Sequence, residues 1–571
     1  MARKSLIPSS IQRRAPAAAK RWYRSARELR KFLNAQEGLD LSFRERARIV
    51  QQAIMLLENF HVNLPLKMAM YAVDPARRLR LLQMKLETAF ADDVRFHREM
   101  IQIFNSLNDI HTQYLLPFPW NENTAWLPFA IECFRENGSR VYLAAKVREE
   151  FFIRERDFHQ AVEIVSWNGM PIDTAVELFG AQSPTGAGNP SARHALAVSL
   201  FTQRPLEFLP PPSEDWVVVG YRPRAGARIR EVKVPWLVSR SDRILNARPG
   251  GTNLTGRVRE LRRQLFAAEQ GPNLFTGKDI QTTSGKFGYL RIFTFDVGDE
   301  VQDFIEGIIE VVHSLSRNGL IIDVRGNEGG RTRAAEMLLQ VFARDYPHEK
   351  RIEPERCCFI NTPRTLRLCQ LQRRNDKFGP AGLAPWEDSI RRAIQTGVKF
   401  SSSHEITDGK KCNDESLKGL LYPGPVVVIT DGLTASAAEI FAAGIQDHGG
   451  KILGTDRSTA GAGANVRSHS EFCDFFMKDG KKSPFRPLPN NADFKIPFRR
   501  FQRVHKSAGL EIEDFGVVPD RVHIMTRKDI MEQNRDLKNS AGEFLLTVKP
   551  RNLGSKRQGG RAPNRSRGPK R

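Results

Sequence analysis

The C-terminal half of the sequence is predicted to form an α/β fold around a mostly parallel sheet. Two continuous apolar segments, LIIDV (320–324) and VVVIT (426–430), have the composition of strands that are buried on both faces. A segment with apolar residues at positions 301, 304, 305, 308, 311 and 312 precedes the first of them and is typical of an amphipathic helix. Buried strands that alternate with such helices favour parallel pairing through right-handed crossovers.

The N-terminal half shows two other patterns. Apolar residues recur at helical spacing between positions 42 and 108, and short alternating strands follow, such as VYLAAKV (141–147) and WVVVGY (216–221). A chain of 571 residues also exceeds the size of one domain. We therefore predict a basic N-terminal segment (1–31), a helical module (32–128), a β-rich domain (129–240), a linker (241–284), an α/β core (285–545, with an insertion at about 346–420) and a basic tail (546–571).

The charge lies mainly at the two ends of the chain. Residues 1–31 and 549–571 each contribute +9 to a net charge of +23, which leaves +5 for the body. A nucleic acid or another anionic surface is therefore expected as a partner only through the termini. The six cysteines form neither a disulfide framework nor a metal-binding spacing. With no apolar leader or membrane-spanning run, we expect a cytoplasmic protein without a membrane span.

The segment VVVITDGLTASAAEIF (426–441) places Ser436 where a buried strand passes through a short turn into a helix. A hydroxyl group at such a junction points away from the sheet, and the free backbone N–H of Ala437 can help to hold an oxyanion. This geometry is typical of a nucleophilic serine. The alternative is that Ser436 or Thr434 only caps the helix.

The segment LIIDVRGNEGG (320–330) ends a second strand in a turn that contains Gly329 and Gly330. The carboxyl ends of parallel strands meet at one edge of the sheet, where such folds bind ligands. Either glycine could therefore supply a second oxyanion donor. A plain tight turn is the alternative.

Four segments in order, GYLRIFTF, LIIDVRGNEGG, the stretch from GPVVVIT to GGKILG, and EDFGVVPD, resemble the tail-specific peptidase superfamily. This superfamily contains carboxyl-terminal processing proteases, the tricorn core and the chlamydial protease-like activity factor. The resemblance covers about residues 285–525 and extends to the segment that ends in NDIHT. It implies a ClpP/crotonase-like core and a serine endopeptidase that acts on polypeptides through Ser436.

The resemblance also implies which residues assist the serine. Relatives with a Ser-Lys dyad carry lysine in a T-x-G-K motif, where this sequence has Ala462. Tricorn-like relatives use a histidine in a D-x-H-T turn instead, which matches His111. The carboxylate that orients this histidine matches Glu513, while Glu511 and Asp514 remain alternatives. A histidine of ordinary pKa can accept the serine proton near neutral pH.

The β-rich region contains AVEIVSWNGMPI (161–172), which resembles the strand and turn of PDZ domains and implies a module that binds an extended peptide. No metal or organic cofactor is expected, because serine chemistry needs none. A homo-oligomer is compatible with the sequence. Two other functions remain open: a non-catalytic binding protein of the same fold, and a scaffold that binds nucleic acid through its basic tails.

Overall fold

The computed structural model describes residues 26–35, 40–86, 93–152, 154–182, 186–240, 274–343, 352–353, 355–374, 383–405, 422–477 and 483–548. Among these residues, no helix combines the length and the apolar composition needed to cross a membrane. The two basic termini, for which an anionic partner was predicted, lie almost entirely outside the described residues.

The N-terminal part of the described chain is mainly helical. Its longest helix is capped by Ser42, whose Oγ accepts a hydrogen bond from Glu45 N (3.4 Å) while the Glu45 carboxylate accepts one from Ser42 N (2.8 Å). This reciprocal pair is a capping box. The elements are β1 (Arg27–Glu28), α1 (Leu29–Asn34), α2 (Phe43–Phe60), α3 (Leu64–Tyr71), α4 (Pro75–Lys85), α5 (Asp93–Asn105), β2 (Gln113–Leu115) and β3 (Asn123–Trp126).

An antiparallel sheet with the strand order β10-β9-β6-β5-β4 forms the β-rich part, with β7 beside β6. A smaller sheet, in the order β1-β11-β3-β8, connects it to the N-terminal helices. The elements are β4 (Phe129–Glu136), β5 (Ser139–Val147), β6 (Glu163–Trp167), β7 (Met170–Pro171), α6 (Ile172–Gln182), α7 (Pro190–Leu200), β8 (Gln203–Pro205), β9 (Trp216–Arg222), β10 (Arg230–Pro235) and β11 (Leu237–Arg240).

The C-terminal part contains the predicted α/β core. Its elements are β12 (Phe275–Thr282), β13 (Gly285–Ile292), α8 (Val301–Ser314), β14 (Leu320–Asp323), α9 (Thr332–Phe342), β15 (Arg356–Cys358), α10 (Pro363–Arg374), α11 (Ala384–Thr396), β16 (His404–Glu405), β17 (Val426–Thr430), α12 (Ala437–Asp447), β18 (Lys451–Gly454), β19 (Ala464–Ser468), α13 (His469–Met477), β20 (Asp493–Gln502), β21 (Arg521–Val522), α14 (Arg527–Met531) and α15 (Arg535–Leu546).

The core sheet has the order β12-β13-β14-β17-β18-β21, and all its pairs are parallel except β12 with β13. This confirms the prediction of an α/β fold with a mostly parallel sheet. Strands β14 and β17 are neighbours, so the turns after them lie side by side. The predicted linker 241–284 is wrong at its end, because β12 lies within it and pairs along its whole length with β13.

A further sheet joins the helical module to the core. Strand β20 pairs with β19 and β15 of the core and with β2, which follows the predicted histidine turn. The register places Gln113 opposite Lys495. This pairing brings the segment around residue 111 beside elements that lie more than 350 positions later in the chain.

A buried ion network stabilises the carboxyl end of β14. The fully buried carboxylate of Asp323 contacts Arg291 (2.8 Å), Arg325 (2.9 Å) and the hydroxyl group of Tyr289 (2.6 Å). We expect Asp323→Asn to lower the free energy of unfolding by about 3–5 kcal/mol, because it leaves two mostly buried cations, Arg291 and Arg325, without their counter-charge.

Urea denaturation followed by circular dichroism would measure this loss. Asp299→Asn is the matched control, since Asp299 is 73% exposed where it pairs with Arg331 and should change stability by about 0–1 kcal/mol. Equal stability of the two variants would contradict the assignment of a stabilising role to Asp323.

Candidate active site

Ser436 lies at the N-terminus of α12, directly after the turn that follows the fully buried strand β17. Its φ of 55° and ψ of −123° are unusual for a residue with a side chain. The turn is fixed from both sides: Ala435 N donates to Asn327 O (2.9 Å), and the Asp431 carboxylate accepts from Gly326 N (2.8 Å). The nucleophile predicted from the sequence therefore occupies a strained and tightly held position.

Glu439 holds the turn from the helix side. Its buried carboxylate accepts hydrogen bonds from Ser436 N (3.0 Å), Gly461 N (2.8 Å) and Ala462 N (2.9 Å), and from Thr459 Oγ1 (2.5 Å). Burial raises the pKa of Glu439 to about 7, and these four donors oppose the rise. Sequence reasoning missed this residue, although the spacing from Ser436 to Glu439 is that of a capping box.

The glycine turn after β14 lies against Ser436. Gly329 has a φ of 95°, and a Cβ placed on it would lie 2.7 Å from both Ser436 Cβ and Ala437 N. The N–H of Gly329 donates to Asn327 Oδ1 (2.9 Å). Within the described residues, the N–H groups of Gly330 and Ala437 donate no hydrogen bond. Of the two glycines, the geometry therefore favours Gly330 as the oxyanion donor.

The turn that carries His111 is built around the buried side chain of Asp109. Asp109 Oδ1 accepts from His111 N (2.9 Å), and Oδ2 accepts from Asn63 Nδ2 (3.1 Å). His61 Nε2 contacts Thr112 Oγ1 at 2.6 Å and lies 3.8 Å from Asp109 Oδ2. Asn63 and His61 precede α3, and no local sequence signal pointed to them.

His111 and Glu513 meet in the same buried cluster. One side-chain atom from each of Asp109, His111 and Glu513 lies within 4.8 Å of the others. His111 Nδ1 and Glu513 Oε2 are both buried and have no hydrogen-bond partner among the residues that the structure describes. These are the two atoms that a pairing between the imidazole and its orienting carboxylate would use.

The two alternative acids have other partners. Glu511 forms an ion pair with Arg500 (3.1 Å), and Asp514 Oδ1 lies 2.5 Å from Lys67 Nζ. Lys67 also contacts Glu513 Oε1 (2.8 Å), while Oε2 has no hydrogen-bond partner within the described part of the chain. Of the three acids named from the sequence, the contacts therefore favour Glu513 as the partner of His111.

Burial controls the protonation of the cluster. It lowers the pKa of His111 to about 4, although the charge of Asp109 opposes this change, and Lys495 and Lys67 lower the pKa further. Burial raises the pKa of Glu513 well above its usual value, while Lys67 acts in the opposite direction. At neutral pH His111 is accordingly uncharged, which is the form that can accept a proton.

The backbone links this cluster to the nucleophile. Gly461 N donates to Glu439, which also holds Ser436 N, and Gly461 O accepts from Asp514 N (2.9 Å). The start of α7 lies against the same segments: Asn189 Nδ2 donates to Ser458 Oγ (2.8 Å) and to Asp514 O (3.3 Å). The β-rich part therefore contacts the site directly.

Asp109, His111 and Glu513 are also side chains of the types that bind zinc. Lys67 Nζ already lies 2.8 Å from Glu513 Oε1, so a metal ion would share this carboxylate with an ammonium group. A divalent cation could bind here only in competition with Lys67. Serine chemistry requires none.

Comparisons with known proteins agree with the fold described above. The family described as "Peptidase family S41" matches residues 286–472, and "PDZ domain" matches residues 123–244. No curated protein matches the chain. The solved structures with a similar fold include mature CPAF, with 17% identity, a TM-score of 0.61 and coverage of 87% of this chain and 96% of that chain.

Two other structures of CPAF resemble the chain to a similar degree. The complex of mature CPAF with lactacystin has 16% identity and a TM-score of 0.60, and covers 88% of this chain and 98% of that chain. A mutant of CPAF has 15% identity and a TM-score of 0.63, and covers 89% and 98%. At such low identity these likenesses show the fold, and they confirm the predicted architecture. Residues 286–472 thus match peptidase family S41 and residues 123–244 match a PDZ domain, and these matches support a serine-type peptidase.

Proposed function

We propose that the chain is an endopeptidase that cleaves polypeptides through an acyl-enzyme on Ser436, with His111 as general base and Glu513 as the carboxylate that orients it. The observation that carries this proposal is the strained backbone of Ser436 at the N-terminus of α12. A side chain held there can meet a substrate carbonyl without a change in the backbone.

In the first step Ser436 Oγ attacks the peptide carbonyl carbon, and its proton moves to the imidazole of His111. The N–H groups of Ala437 and Gly330 bind the resulting oxyanion. The carbon–nitrogen bond then breaks, and the imidazolium gives its proton to the leaving amine. The carboxylates of Asp109 and Glu513 stabilise the imidazolium while it exists.

In the second step a water molecule attacks the acyl ester, and His111 accepts the proton of the water. The ester bond breaks, the proton returns to Ser436 Oγ, and the carboxylic acid product leaves. The substrate is an extended polypeptide, in keeping with the peptidase family and with a PDZ domain that binds peptides by strand addition.

Labelling with a fluorophosphonate probe tests the nucleophile. We expect the wild-type protein to be labelled at Ser436, as mapped by peptide mass spectrometry, and Ser436→Ala to show no labelling. Ser213→Ala is the control, because Ser213 is exposed beside Glu214 and should leave labelling unchanged. Labelling at another residue, or none in a folded wild-type protein, would refute the proposal.

A homo-oligomer, a cytoplasmic location and an anionic partner for the basic termini stay predictions of the sequence. They are not needed for the chemistry proposed here.

A further inference from the structure

Lys67 is a buried lysine in the middle of the proposed site. It lies on α3 and is 1% exposed. Its Nζ contacts Glu513 Oε1 (2.8 Å), Asp514 Oδ1 (2.5 Å) and Asn108 O (3.1 Å). An ammonium group has three N–H donors, so these three acceptors use all of them.

Lys67 supplies the positive charge of the buried cluster. Asp109, Glu513 and Asp514 contribute three carboxylates around it, while burial lowers the pKa values of His61 and His111 to about 4 and leaves both imidazoles neutral at pH 7. The cluster therefore carries a net charge of −2 when all three acids are ionised. Without Lys67 the charge would be −3, which is costly in a buried site.

Lys67 is not suited to act as a base. Burial alone would lower its pKa, but the surrounding carboxylates outweigh this effect and hold the pKa well above its usual value. The side chain therefore stays an ammonium group near neutral pH. It does not replace the lysine that other relatives carry at the position of Ala462.

The contacts of Lys67 also orient the carboxylate of Glu513. The ammonium group binds Oε1, whereas the buried Oε2, like Nδ1 of His111, has no hydrogen-bond partner in the described ranges. We propose that Lys67 is a positioning residue that opposes the protonation of Glu513 and holds its second oxygen available to His111. This inference rests on the proposed function, because it assigns the supporting charge of that same site.

The proposal predicts a specific defect for Lys67→Met, a change that keeps an unbranched side chain of similar size and removes its charge. Without the ammonium charge the pKa of Glu513 would rise further, so more of this carboxyl group would be neutral at pH 7, and a neutral carboxyl group stabilises an imidazolium poorly. We expect kcat to fall by about 10- to 100-fold at pH 7, the usual effect of losing a group that orients a catalytic partner. We expect KM to change little.

The pH profile separates this role from a structural one. As the pH rises above 7, Glu513 ionises again, so kcat of Lys67→Met should recover relative to the wild-type protein. Arg503→Met is the matched control, because it removes another buried cation, paired with Asp447 (2.5 Å), outside the proposed cluster. It should lower stability without an alkaline shift of the profile.

A double-mutant cycle with Glu513→Gln gives a second readout. If Lys67 acts through Glu513, Lys67→Met should lower kcat by a much smaller factor in the Glu513→Gln background than in the wild type. The proposal would be overturned if the two substitutions lowered kcat independently of each other, or if the loss of kcat in Lys67→Met did not depend on pH. If Lys67→Met does not fold, Lys67→Gln keeps hydrogen-bond donors without the charge and gives the same test. A wild-type protein that is inactive and unlabelled would instead refute the proposed function.

Discussion

Replacing His111 with alanine is expected to lower kcat/KM for a peptide substrate by about 10³-fold, because Ser436 loses its general base. Probe labelling of Ser436 should slow in parallel. His159→Ala is the control, since His159 is exposed and its Nδ1 contacts only Gln160 O (2.8 Å) among the described residues. Its kcat/KM should match that of the wild type. An effect of His111→Ala below 10-fold would mean that another group accepts the proton.

The pH profile of the wild-type protein gives a second test of His111. The base must be neutral, and burial lowers the pKa of His111 from 6.5 to about 4. The acidic limb of kcat/KM should therefore lie near pH 4, and activity should be retained at pH 5.5. A limb near pH 6.5 would show that the imidazole is hydrated in the working enzyme.

Acid pH also lowers the stability of the fold, so the rates at acid pH must be measured soon after the protein is diluted into the acid buffer. Burial lowers the pKa values of His61, His97 and His469 to about 4, 3 and 4. The unfolded chain binds protons at these histidines below pH 6.5, whereas the folded chain does so only near pH 3–4. Stability therefore falls as the pH decreases below 6.5. A loss of activity that occurs while the protein stays folded, and that reverses on return to pH 7, reports protonation of the catalytic base instead of unfolding.

The sequence predicts the core well because its strands are buried on both faces. β14 and β17 are continuous apolar runs, and each leads into a turn and then an amphipathic helix. β12 lacks this signal, since most of its residues are exposed or half-buried on an edge strand. The pattern of apolar residues therefore predicted a linker at positions where the structure has strand β12.

The site is harder to predict than the sheet, because its members are distant in the chain. The turn near Ser436 has a local signal, but Lys67 meets Asp514 across a separation of 447 positions. In its own helix Lys67 has mainly apolar neighbours, and nothing there distinguishes a buried lysine from one that reaches water. His111 and Glu513 were assigned through a family resemblance, because spacing alone does not bring two such positions together.

The structure also distinguishes the surroundings of Gly329 and Gly330, which the sequence offered as equal candidates for an oxyanion donor. Gly329 lies against Ser436 and gives its N–H to Asn327, while Gly330 lies against the backbone of Phe295. In this geometry Gly329 leaves room for the turn that carries Ser436. In the proposed mechanism Gly330 would then be the glycine whose N–H binds the oxyanion, and Gly329 would act only through its small size.

Gly329→Ala is therefore expected to disable the enzyme without unfolding it. The new Cβ would lie 2.7 Å from Ser436 Cβ and from Ala437 N, so the turn must move and carry an oxyanion donor with it. Loss of one such donor lowers kcat by about 10²- to 10³-fold. Steady-state kinetics and a thermal melt on the same preparation would measure both effects.

The control for this change is Gly397→Ala, which separates backbone strain from steric contact. Gly397 also has a positive φ, 76°, but a Cβ there meets nothing within 4 Å. It should therefore lose about 1–2 kcal/mol of stability and keep its kcat. If Gly329→Ala also kept its kcat, the turn could yield to the added methyl group without losing its function, and the close contact between Gly329 and Ser436 would not be part of the catalytic geometry.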